Sequence, residues 1–180
     1  MDRLRGHAGR NYDIRSIIET AGRLTHDLKS QKKLKFIIAG DGPLKGLCAQ
    51  SVTDSFVFLG RLAAADLTFL YRHCDVALAT YKGESTVAMP IKAFDYLRFG
   101  LPIVNSLGRD IGAFVRERQV GMNYDSRSAA SLYEAISRLT CDEAFRKRCS
   151  MNARVLAREF DSDKQYNKFV SVLQRLSHSF

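Results

Sequence analysis

The residues best able to do chemistry lie in the segment Ala88-Met89-Pro90-Ile91-Lys92-Ala93-Phe94-Asp95-Tyr96-Leu97-Arg98-Phe99-Gly100-Leu101-Pro102-Ile103-Val104. Pro90 reads as the first helical position, where its missing N–H costs nothing. The free N–H groups beside it, with the positive end of the helix dipole, form an anion site. Lys92 adds a full charge there, and Asp95, three residues on, shares nearly the same face. A diphosphate at the helix start and a pair of sugar hydroxyls on the carboxylate would satisfy all of these groups. An ordinary helix with a solvated Lys and Asp is the plainer alternative. Gly100 ends the helix, and an apolar strand follows.

The elements that must carry this segment alternate along the chain. Ile14, Ile17, Ile18, Ala21, Leu24 and Leu28 mark one helix face, capped by Asp13. Leu34 to Ala39 is an apolar strand ending in Gly40-Asp41-Gly42-Pro43, and a helix follows it. The strand Phe56 to Leu59 ends at Gly60-Arg61. Leu67, Leu70, Tyr71 and Cys74 repeat the helical spacing before the strand Val76 to Ala79. Beyond the signature helix come a strand at Ile103-Val104, a helix at 111–117 and a short strand at 120–124. Helices at 128–139, 142–159 and 163–176 close the chain. Short apolar strands between helices predict a doubly wound, parallel α/β sheet covered on both faces. Its ligand crevice should lie beyond the carboxyl ends of the strands. Residues 6–10, 40–43, 60–62 and 81–90 all fall there. Gly6-His7-Ala8-Gly9 reads as the turn after a first strand, yet Met1 to Arg5 is short and charged. Either that first strand is degenerate or the chain lacks it, and the second reading is the expectation.

Composition narrows the function classes. A chain of 180 residues with 46% hydrophobic and 26% charged residues is ordinary for one globular domain. No apolar run approaches the roughly 20 residues of a membrane span, and no signal peptide is recognisable. Cys48, Cys74, Cys141 and Cys149 show neither C-x-x-C nor zinc spacing, so no metal site is expected. They suit a reducing, cytoplasmic compartment. The net charge of +9 favours anionic partners. Its densest cluster, Arg146-Lys147-Arg148, reads as a solvated helix face, and no nucleic-acid signature accompanies it.

The ordered set of motifs resembles the C-terminal, donor-nucleotide half of a GT-B glycosyltransferase, specifically retaining family 4. The similar branches carry a Met-Pro-x-Lys-x-Phe-Asp-Tyr helix and build bacterial surface polysaccharides. The matching pieces are Gly6-His7-Ala8-Gly9 with Tyr12-Asp13-Ile14, Phe36 to Pro43, Val57 to Gly60, Leu70-Tyr71 with Asp75-Val76, Met89 to Tyr96, Gly100 to Val104, and Gly121. The resemblance implies one Rossmann-like half of a GT-B fold over residues 1–180, closed by the helix at 163–176. It implies a UDP- or GDP-sugar as substrate and no cofactor. Asp95 would take the ribose hydroxyls. Met89, Ile91 and Lys92 would hold the diphosphate, with Gly9 and Arg10 facing it across the crevice. Gly40, Asp41, Gly42 and Pro43 would flank the nucleotide, and Arg61 would lie near the base.

Two departures accompany the resemblance. Many family members carry two glutamates at the spacing of Val87 and Asp95; here the earlier position is Val87, and Glu84 is the nearest acid. A family lysine after the glycine turn is replaced by Tyr12, leaving His7, Arg10 or Lys92 to supply its charge. Asp41 alternatively shapes its own turn. A GT-B enzyme also needs an acceptor domain of more than about 100 further residues. No catalytic residue is therefore assigned, and a donor-binding half without activity alone is expected. A separate acceptor-domain chain is its expected partner, holding it peripherally at the inner membrane. A non-catalytic nucleotide- or protein-binding α/β module, or one subunit of a split two-chain enzyme, remains the alternative.

Overall fold

The computed structural model describes residues 3–6, 11–26 and 34–177. Six strands form the sheet: β1 (Arg3–Gly6), β2 (Lys35–Ile38), β3 (Phe56–Phe58), β4 (Val76–Ala79), β5 (Ile103–Asn105) and β6 (Gly121–Asn123). Between and after them run α1 (Ile14–His26), α2 (Lys45–Gln50), α3 (Ala64–Arg72), α4 (Ile91–Arg98), α5 (Arg109–Glu117), α6 (Ala129–Cys141), α7 (Glu143–Glu159) and α8 (Ser162–Ser177). The strand order is β3-β2-β1-β4-β5-β6, and every pairing is parallel. This is the expected doubly wound fold. All strands point one way, so the loops that follow them share one edge.

The expectation of a missing first strand is corrected. Arg3–Gly6 is a central strand, registered against Lys35 to Ile38 on one side and Val76-Ala77 on the other. The ladder is made by backbone groups, and its neighbours bring the apolar content: Phe36, Ile38, Val76 and Ala77 are fully buried. Composition misleads where position between two buried strands decides. The signature helix also begins one residue later than expected. Pro90 has extended backbone (ψ 130°) and precedes the first helical residue, Ile91.

Local signals explain most boundaries. Asp13 caps α1, its carboxylate accepting from Ser16 N–H at 3.2 Å and Ser16 Oγ at 2.6 Å. Ser128 and Asp142 cap α6 and α7 in the same way. Helix α6 packs on α1, and α7 packs on α4. The last helix differs. On α8, Tyr166, Phe169, Val172, Leu173 and Leu176 remain between 49% and 68% exposed.

Gly121 sets the distance between the two last strands. A Cβ there would stand 1.9 Å from the Ile103 carbonyl oxygen, inside the β5–β6 pairing. Gly121→Ala must push β6 outward, and should cost about 2–3 kcal/mol, the upper part of the range for overpacking. Urea denaturation of the two proteins measures it; equal midpoints would mean that β6 yields freely.

Candidate active site

The strand order reverses between β1 and β4, which is where parallel sheets open a ligand crevice. Here the two loops leaving those strands are tied together. Asp13 N–H donates to Thr80 O (3.0 Å), Lys82 N–H donates to Asn11 O (2.8 Å), and Tyr12 and Tyr81 form an antiparallel bridge between them. Their hydroxyls lie 2.9 Å apart and their ring centroids 4.5 Å apart. Ser106, just beyond β5, locks Tyr81 by accepting its N–H at 2.6 Å and donating to its carbonyl at 2.8 Å. The crevice thus has a rigid floor of two buried tyrosines.

Lys92 stands on that floor. From the first turn of α4 its ammonium donates to Tyr12 Oη at 2.8 Å and lies 4.8 Å from the centre of the Tyr12 ring. No side chain caps the start of α4. The carboxyl edge therefore presents a half-buried ammonium beside an uncapped helix start, both suited to an anion. Tyr12 fills the position of the expected lysine, and Lys92 brings its charge to that same residue. Burial, reinforced by the hydrogen bond with Tyr81, pushes the Tyr12 phenol well above the ordinary tyrosine value; burial also raises Tyr81. Both stay neutral, so the ammonium is not cancelled by a phenolate.

The other expected residues fall into three groups. Gly9 and Arg10, with His7, lie outside the described residues. Gly40 joins the loop after β3 directly, donating its N–H to Gly60 O at 2.7 Å, with Gly42, Pro43 and exposed Arg61 alongside in the same two loops. Asp41 is engaged in its own turn: its carboxylate accepts from Gly42 N–H at 2.9 Å and lies 3.4 Å from Lys45 Nζ. These contacts, the Gly42 N–H first, hold its carboxyl below the usual range. Met89 packs against the core, whereas Ile91 is 83% exposed and Glu84 is exposed in the turn between Lys82 and Ser85.

Asp95 does not meet Lys92. It is exposed and opens onto a groove between α3 and α4. The groove's rim includes Ala64, which begins α3 just after Gly60-Arg61. Sequence reasoning missed Tyr81, Ser106 and Asn105. Asn105 is fully buried and donates to Leu107 O (2.7 Å) and Asn123 Oδ1 (2.8 Å), fixing the loop after β5. A polar residue closing an apolar strand is the signal that could have found Asn105. Nothing local marks Tyr81 as the partner of Tyr12.

Known proteins extend these observations. The family described as Glycosyl transferases group 1 matches residues 6–142. No curated protein matches the chain in sequence. Among solved structures it resembles Anabaena Alr3699/HepE in complex with UDP (16% identity, TM-score 0.77, 97% of this chain and 49% of that one). It also resembles WaaG, a glycosyltransferase involved in lipopolysaccharide biosynthesis (17%, 0.67, 90% and 44%). A third is the C-terminal domain of a glycosyl transferase group 1 family protein, LpcC, from Francisella tularensis (15%, 0.69, 88% and 85%). The chain spans about half the length of the first two. At these identities the likeness shows the fold.

The phenol–ammonium pair is testable without a ligand. Tyr12→Phe should cost about 1 kcal/mol, less than the usual value for a charged hydrogen bond because Lys92 is only half-buried. The raised phenols keep protons in the folded state that the unfolded chain releases above about pH 10. Their stabilising share is therefore intact below that pH and is lost as pH rises further. Urea midpoints followed upward from about pH 9 should fall less steeply for Tyr12→Phe than for the parent; equal slopes would place the retained protons elsewhere.

Proposed function

Since the chain belongs to the Glycosyl transferases group 1 family, we propose that it is the donor-binding half of a retaining glycosyltransferase. The observation that carries this reading is the Lys92 ammonium held beside the uncapped start of α4, at the switch point of the sheet. A nucleoside diphosphate sugar would place its diphosphate there, with the ribose hydroxyls on Asp95 in the following turn. The base would then lie toward Ala64, which borders the groove, with Arg61 in the loop just before it. The solved HepE structure with UDP supports this choice of ligand.

The chemistry asked of this half is electrostatic. When the sugar departs, negative charge grows on the diphosphate, and Lys92 with the α4 dipole stabilises it where it develops. Tyr12 and Tyr81 keep that ammonium in place without neutralising it. This part of the reaction needs neither a cofactor nor a base from these residues. The acceptor belongs to the other half of the cleft. The exposed apolar face of α8 is the surface on which that half would close, either in the same chain or as a partner. By likeness to the family's surface-polysaccharide branches and to WaaG, the product is a cell-envelope glycan or glycolipid. Synthesis would take place on the cytoplasmic side of the membrane. Among the described residues no helix is long and apolar enough to cross a membrane, so attachment there would be peripheral.

Titration calorimetry with UDP and GDP tests the site. Asp95→Asn should weaken the preferred nucleotide by about 1.5–3 kcal/mol, and Lys92→Ala by a similar amount, as hydrogen bonds to charged groups are lost. Unchanged binding in both variants would remove the donor reading. The purified 180-residue chain should transfer no sugar, because donor and acceptor must be held together for reaction. Supplying a matching N-terminal half should restore transfer. Robust turnover by the chain alone would refute its role as a half.

A further inference from the structure

The groove onto which Asp95 opens continues past Ala64 and Asp95 as a charged cavity between helices. It encloses about 520 Å³ between α3, α4 and α7, and Arg72, Arg98 and Arg154 line it, one from each helix. Asp95 is the carboxylate among its lining residues, so three guanidiniums face one acid. None of these four side chains has a hydrogen bond or ion pair among the described residues. All four residues are exposed, so their charge is met by solvent and is open to an anion.

The arginines are also placed by the fold. Arg72 and Arg98 sit in the last turns of their helices, where the dipole favours a cation. Arg154 lies flat over Gly100. A Cβ at Gly100 would stand 2.6–2.8 Å from its Nε, Cγ and Cζ, and Gly100 has φ +66°, a conformation that favours glycine. The stacked rings of Tyr71 and Phe99, with centroids 5.1 Å apart, add an aromatic wall.

We infer that this groove is a second anion site, and that it takes a phosphate group, as a phosphomonoester or diphosphate end. Guanidinium forks pair with phosphate oxygens in bidentate fashion, and three of them around one cavity suit a compact, multiply charged group. The volume admits a small phosphorylated molecule. Asp95 is the link to the crevice. It opposes an anion in the groove, whereas the donor reading has it accept ribose hydroxyls, so its removal acts in opposite directions on the two sites.

That opposition makes the test. Pyrophosphate is titrated into the Lys92→Ala protein, which lacks the crevice ammonium, while NMR follows the arginine Nε–H signals. Saturable binding is expected. Arg98→Ala and Arg154→Ala, added singly, should each weaken it by about tenfold or more, and Arg154→Lys should weaken it because the fork is lost. Asp95→Asn should tighten pyrophosphate binding while weakening UDP binding to the otherwise native protein. Pyrophosphate affinity unchanged in both alanine variants, with melting temperatures also unchanged, overturns the site, as does its absence from the Lys92→Ala protein. Flotation with phosphatidylglycerol–phosphatidylcholine vesicles separates the sources. Arginine-dependent flotation assigns a lipid headgroup, and binding without flotation assigns a free phosphorylated molecule. Pyrophosphate binding without UDP binding would sink the donor reading and leave this one standing.

Discussion

The site depends on one constraint, the tie between the loops that leave β1 and β4. In a doubly wound sheet those loops part at the reversal of strand order and leave a gap. Here Asp13, Tyr12 and Asn11 pair in sequence with Thr80, Tyr81 and Lys82 across that gap. The pairing fixes where α1 begins, since Asp13 is both a partner of Thr80 and the cap of α1. It also sets the height of the tyrosine floor against which Lys92 rests. Without the tie, the ammonium would be a solvated lysine on a helix start, and its side-chain entropy would oppose any fixed position.

Neutrality of the floor matters as much as its position. A carboxylate in place of Tyr12 would pair with Lys92 and spend the charge that an incoming anion needs. A neutral hydroxyl orients the ammonium without itself neutralising it. Burial enforces this by keeping both phenols protonated far above any physiological pH. The tyrosine that departs from the family pattern is thus compatible with the same electrostatics, because the cation arrives from α4 instead of from the loop.

Much of this was legible in the residues. The apolar runs at 34–39, 56–59, 76–79 and 103–104 have the length and hydrophobicity of buried parallel strands, and four of the six strands follow from such patterns. The Asp13 cap was legible because capping is local, as was the turn made by Asp41. What could not be read depends on distance along the chain or on position in the sheet. The Tyr12–Tyr81 bond joins residues 69 positions apart, and no periodicity encodes it. Strand β1 hides behind Arg3 and Arg5 because its place is set by β2 and β4 on either side. Asp95 shares a helix face with Lys92 by count, yet a helix buried on one side offers its flanks to different neighbours.

That last division shapes the whole α4 helix. Its buried residues Ala93, Tyr96 and Leu97 seat it on the sheet, so Lys92 and Asp95 diverge from that line toward the crevice and the α3 groove respectively. A nucleotide reaching both would have to run across the first two turns of α4, past exposed Ile91, instead of along the strand ends. Such a path leaves the lower groove, with Arg98 and Arg154, beyond its reach, since these lie a further turn down α4 or on α7. One short helix thereby carries Lys92 and Arg98 on different flanks, with Asp95 between them. If both proposed sites take phosphate, the negative charge of Asp95 would oppose passage of a phosphate from the crevice into the arginine groove.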